Sequence, residues 1–230
     1  MKGSISATSL RSVPESILDA IKDQASRIWP VIIIGFGTGI LAVMGSFFLS
    51  RYLGIPPEDL TRDPASVANL GTYIGLLSNL GIILWAATTG ICFCAAASLK
   101  AKYPDRHPTI FFFSSSLLSF ILMLDDTFQI HESIFPHHFH IPETIVYAGY
   151  LIIMVGYLLY FFRYILRTDY LYLILTVGFL GLSLISERLL NDTFIEDSLK
   201  FIGIVFWLVY FSSTAIRAVR NGTAGAMPKS

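Results

Sequence analysis

Residues 109–128 read TIFFFSSSLLSFILMLDDTF, an apolar run broken only by small hydroxyl residues and closed by two adjacent aspartates. A stretch of about 20 such residues spans the roughly 30 Å of hydrocarbon in a bilayer. It does so as a helix, because lipid offers no partner for an unpaired backbone N–H or C=O. Similar runs lie on either side, at 29–50, 71–99, 145–166, 170–186 and 198–216. The run at 170–186 is the shortest and needs Glu187, or a thin bilayer, to complete a crossing.

Composition agrees with this reading. Hydrophobic residues make up 54% of the chain and charged residues 14%, against about 25% charged in soluble domains. Mean hydropathy is +0.65. The formal net charge is zero, so no bulk basic surface points to nucleic acid. Cys92 and Cys94 lie two residues apart in one apolar run, on different sides of a helix, and are not expected to pair.

The expected fold is therefore all-α: a polytopic bundle of six transmembrane helices with both termini on the cytoplasmic side of the cell membrane. Residues 1–28 form a cytoplasmic segment, 29–217 the six-helix domain and 218–230 a cytoplasmic tail. Within the first segment Ser12 and Glu15 have the form of a capping box, and Ile17, Leu18, Ile21, Ala25 and Ile28 recur at helical spacing. That predicts an amphipathic helix on the membrane surface, ending at Trp29-Pro30. No cleavable signal peptide is expected, since the first residues carry no apolar stretch. With the N-terminus inside, twelve of the sixteen basic residues fall on inner segments and eleven of the sixteen acids on outer ones. This follows the excess of Lys and Arg found in cytoplasmic loops.

The acids at the outer side are the candidate site. At about 1.5 Å per residue, Asp125 and Asp126 stand about 24–26 Å above Thr109, and Glu187 about 26 Å above Tyr170. The sixth run enters from the same side through Glu196, Asp197 and Lys200. Asp126 continues the stripe of Ser115 and Ser119, Glu187 that of Thr176 and Ser183, and Asp125, Gln129 and Glu132 share a face if the helix extends that far. Polar stripes on membrane helices face the bundle interior. Four of the five histidines, His131, His137, His138 and His140, follow the aspartate pair. Imidazole and carboxylate together are ligands for Zn²⁺ or a similar divalent ion, and a cation would relieve the repulsion among clustered acids. Lys200 supplies part of that relief by pairing with Asp125, Glu187 or Glu196.

Two functions follow from this cluster, beside the plainer alternative of a solvated loop. In the first, Asp125, Asp126, His131, Glu132 and Glu187 hold a divalent metal ion that activates water for hydrolysis or transfer on a lipid or lipid-linked substrate. Glu196 or Asp197 acts there as general base and Lys200 stabilises charge. In the second, the same groups bind a proton or cation without chemistry, in a carrier or sensor. A third possibility is an accessory subunit of a membrane complex. Membrane lipid is the expected surrounding partner; protein partners and oligomeric state are left open. Asp125-Asp126 resembles the start of the aspartate-rich motif of membrane prenyltransferases, and Glu196-Asp197-x-x-Lys200 a piece of the glutamate membrane proteases. Each resemblance covers a handful of residues and implies no function. Leu124-Asp125-Asp126-Thr127-Phe128 and Leu190-Asn191-Asp192-Thr193-Phe194 form a faint internal repeat, consistent with two related helical hairpins.

Overall fold

The computed structural model describes the backbone of residues 12–62, 64–71, 73–100, 106–190 and 192–224. Every regular element among them is helical. Among the described residues five helices are long and apolar enough to cross a membrane: Ile32–Leu53, Leu76–Lys100, His107–Phe128, Glu143–Ile165 and Thr193–Arg220. Tyr170–Ser186 is a shorter apolar helix. The protein is a helical membrane protein. Its chain divides into two compact units, one up to Ile74 and one from Gly75.

The first unit is dominated by α1, Ser12–Leu53. The expected end at Trp29-Pro30 is absent: the helix runs through Pro30 without a break. Proline removes one backbone hydrogen bond and crowds the carbonyl four residues back, which bends a helix more readily than it ends one in an apolar setting. The true end is built at residues 50–55. Gly54 adopts φ +69°, the Ile55 N–H donates to the Ser50 carbonyl at 3.1 Å, and the Ser50 hydroxyl donates to the Ile55 carbonyl at 2.6 Å. This is a Schellman closure, with glycine at the position that needs a left-handed backbone. The hydroxyls of Thr38 and Ser46 donate to the carbonyls of Ile34 and Ala42 four residues back. That local bond lets a polar side chain sit on an apolar surface. Within this unit no atom lies within 4 Å of where a Cβ would stand on Gly37 or Gly39. A short turn at Pro57–Leu60 and α2, Pro64–Val67, complete the unit.

The second unit holds α3 (Leu76–Lys100), α4 (His107–Phe128), α5 (Phe135–Phe139), α6 (Glu143–Ile165), α7 (Tyr170–Leu190) and α8 (Thr193–Ala224). On α3 the buried residues are Gly81, Trp85, Thr88, Cys92, Ala95, Ala96 and Leu99, a stripe that, apart from the adjacent Ala95 and Ala96, advances by three or four residues and so keeps to one face. It packs against Phe112, Ser116 and Ser119 of α4 and Ile204, Trp207 and Phe211 of α8. Polar members of this core pair across the helices. The Trp207 indole N–H donates to the Ser119 hydroxyl at 2.9 Å, the Ser116 hydroxyl to the Thr89 carbonyl at 2.9 Å, and Ser115 meets the Tyr157 hydroxyl of α6 at 2.7 Å. α7 lies on α8 where Gly203 leaves space. A Cβ there would come within 2.9 Å of Leu180 Cγ, so this crossing depends on glycine.

Candidate functional site

One contact between α4 and α8 sets the register that builds the site. The Ser119–Trp207 bond joins the two helices. Seven residues further along α4 is Asp126, and seven residues back along antiparallel α8 is Lys200. Seven residues are close to two turns, so these two side chains must also meet. The Lys200 Nζ donates to Asp126 Oδ1 at 2.7 Å. The other oxygen, Asp126 Oδ2, accepts from the Trp85 indole N–H of α3 at 2.9 Å. The Asp126 side chain is 10% exposed and that of Lys200 32%.

Asp125 precedes Asp126 by one residue, about 100° around the helix, and faces a different set of partners. It is 4% exposed. Its Oδ1 accepts from the Tyr150 hydroxyl of α6 at 2.8 Å and from the His131 backbone N–H at 3.0 Å. Its Oδ2 meets His131 Nδ1 at 2.5 Å. These bonds depend on how α4 ends. Phe128 is its last residue, and Gln129 takes the left-handed conformation (φ 49°, ψ 47°). That turns the chain into a single wide turn, Ile130–Ile134, which carries His131 back over Asp125. The expected face shared by Asp125, Gln129 and Glu132 therefore does not form, because the helix stops before Gln129.

His131 is also 4% exposed. Its Nε2 stands 3.3 Å from Glu132 Oε1, and its ring lies 5.0 Å from that of Tyr147. Burial disfavours its charged form, but the hydrogen bonds to Asp125 and Glu132, and the field of both carboxylates, outweigh that and push its pKa up to about 9. The same hydrogen bond holds Glu132 below its ordinary value, against burial. The folded pKa of His131 thus lies above its ordinary value of about 6.5. Its charge stabilises the fold fully below pH 6.5, and the contribution is lost as pH rises through 9. At about 1.4 kcal/mol per unit, roughly 3 kcal/mol is at stake. Melting the detergent-solubilised protein between pH 6 and pH 10 should show this loss, and His131→Gln should flatten the profile.

The two half-sites adjoin. Glu132 lies within electrostatic reach of Lys200, and Asp197 within reach of Lys200, Glu132 and Asp126. A cavity of about 20 Å³ is lined by Ser78, Gly81, Asp126, Asp197, Lys200 and Ile204, which is room for one water. Beneath it the rings of Trp85 and Trp207 meet edge to face at 5.6 Å. Trp207, Phe111, Phe112 and Phe211 are fully buried.

Six of the eight residues expected from the sequence are thus brought together: Asp125, Asp126, His131, Glu132, Asp197 and Lys200. Glu196 is half-buried and does not line the cavity. Glu187 belongs to α7, and its side chain lies outside the described residues. The ion-pair partner of Lys200 is Asp126, which was not among the three acids expected for it. Trp85 and Tyr150 went unnoticed in the sequence. Their signal was a polar ring group inside an apolar run, which has to find a partner. Among the described residues no three His, Cys, Asp or Glu side chains are gathered as a metal ion would require. Both aspartates are instead occupied by protein donors. The exposed His137 bonds the Ser133 carbonyl at 2.9 Å, and His138 and His140 are exposed.

Fold and site together define a helical membrane protein with an acid-rich, partly compensated ionic cluster at one end of its bundle. The chain belongs to the family of the domain of unknown function DUF8692, whose model matches residues 33–214. The match takes in every residue of the cluster. No curated protein and no solved structure matches the chain.

Proposed function

We propose that the protein binds a cation or protons at this cluster, as a sensor or carrier in the cell membrane. One observation carries the reading. Four carboxylates, Asp125, Asp126, Glu132 and Asp197, share two cationic groups, His131 and Lys200, at the end of helices that cross lipid. Such a cluster is two charges short of neutrality, and acids held at a membrane boundary in that condition take up protons or a cation. The aromatic layer beneath closes the cluster off from the opposite end of the bundle, which favours a sensor over a carrier. The membrane arrangement proposed with it has six crossings and both termini in the cytoplasm. Lys100, Arg106, Arg163, Arg167, Arg217 and Arg220 gather at the bundle end away from Asp125, which supports a cytoplasmic assignment for that end and an extracytoplasmic one for the cluster.

The test uses the full chain in lipid nanodiscs, carrying Trp29→Phe so that Trp85 and Trp207 are the only reporters. Fluorescence and melting temperature are followed between pH 5 and 8 and against added Na⁺, Ca²⁺ and Zn²⁺. A saturable response to one of them, abolished by Asp126→Asn with Asp197→Asn, is expected. A flat response to all of them removes the proposal.

A second reading, a divalent-metal hydrolase or transferase acting on a lipid-linked substrate, is favoured by one geometric detail. With Asp125 holding Nδ1, His131 presents Nε2 3.3 Å from Glu132 Oε1. That is about the separation of two ligands on a tetrahedral zinc ion, and a carboxylate on the far nitrogen is the usual support for such a histidine. It requires the imidazolium to give up its proton to the metal. A stoichiometric divalent ion that co-purifies with the protein and is lost in Glu132→Gln would support it.

A further inference from the structure

Between α4 and α6 the chain makes a short helical excursion, the wide turn Ile130–Ile134 followed by α5, Phe135–Phe139. The residues at its two ends, Gln129 (φ 49°) and His140 (φ 56°), are two of the three non-glycine residues with positive φ among those described. An L-residue pays about 1–2 kcal/mol for that conformation. It persists only where the surroundings impose it. Few contacts in the excursion do so. His131 is the one buried residue between 129 and 140, while His137, His138 and Phe139 are exposed. The Phe135 and Phe139 rings lie 5.7 Å apart within the excursion itself. The bonds that fasten the excursion to α4 side chains are the two from His131 to Asp125, with the Tyr147 ring of α6 beside them. The segment therefore has two strained ends, one anchoring residue and a buried carboxylate underneath.

We infer that residues 130–139 form a strap over the carboxylate cluster, hinged at Gln129 and His140 and latched by His131 on Asp125. When the latch parts, both hinge residues relax to ordinary backbone conformations, and Asp125 becomes accessible to the solution at that end of the bundle. The strain at the hinges offsets part of the latch energy, so the strap opens well before the α3–α4–α8 core does. This gate works the same way whichever cation the cluster binds, and also if it binds none.

Amide hydrogen exchange by mass spectrometry on the full chain in nanodiscs tests it. In the unaltered protein the amides of 130–139 should exchange as one block, at least tenfold faster than those of residues 111–122 in α4. His131→Ala should speed the strap a further tenfold or more while leaving residues 111–122 unchanged. If the strap and residues 111–122 of the unaltered protein are protected alike, the segment is part of the core and the inference fails, even if the variant does not fold. It fails equally if His131→Ala leaves strap exchange as it was.

Discussion

Asp125→Ala should lower the stability of the folded protein by about 3–5 kcal/mol, the cost of breaking a buried charge pair by removing one partner. The reason is the number of groups it leaves behind. The His131 imidazolium loses its main counter-charge, and the His131 backbone N–H and the Tyr150 hydroxyl lose their acceptor. A buried donor without a partner costs about 1–3 kcal/mol on its own. Because the residue is 4% exposed, water cannot replace the missing oxygens without opening the structure. Reversible unfolding in mild detergent, followed by circular dichroism with increasing SDS, measures the loss. Asp125→Asn should fall between the parent and alanine, since its amide oxygen still accepts from Tyr150. A loss under about 1 kcal/mol for alanine would mean that the imidazolium is hydrated independently of Asp125.

Lys200→Met is expected to cost about 3 kcal/mol, the lower end of the range for breaking a buried pair, because the lysine is partly exposed. It leaves Asp126 with one neutral donor, the Trp85 indole, in the layer above a closed aromatic core. Pairing it with Asp126→Asn should restore most of the loss, since no uncompensated charge then remains. A double-mutant cycle reads the coupling directly. If the single and double variants lose the same amount, the lysine contributes through its aliphatic stem alone. Emission from Trp85 gives a local check: it should shift in Lys200→Met while the Trp207–Ser119 contact seven residues away is kept.

The helices were legible because lipid imposes a blunt rule: long apolar runs, each with internally paired backbone. The acids were legible for the complementary reason, since a charged residue at the end of such a run is costly and so conspicuous. What could not be read was local backbone choice. Nothing in Phe128-Gln129-Ile130 announces a helix end, because glutamine is an ordinary helix former and its left-handed turn is imposed by the bond between His131 and Asp125. The sequence similarity between residues 124–128 and 190–194 does not extend to what their aspartates bond. Asp125 and Asp126 lie in the last turn of α4, whereas Asp192 stands before α8 and its Oδ1 accepts from the Phe194 and Ile195 N–H groups at 3.0 and 3.2 Å. Similar letters do opposite work, one set serving side chains from other helices, the other capping its own. Lys200 was expected on Asp125, Glu187 or Glu196 because counting along the helices places these groups at one level without saying which side chains face each other. The register of α4 against α8, visible only once Trp207 and Ser119 are seen to meet, decides for Asp126.

That register constrains motion as well as contact. α4 and α8 are fastened at two levels two turns apart, by a neutral hydrogen bond at one and a salt bridge at the other. Sliding one helix along the other would break both fastenings together, and so would rolling α4, whose neighbouring aspartates grip different partners. Any rearrangement that keeps both fastenings therefore moves these two helices as a rigid pair and is carried by what is attached to them.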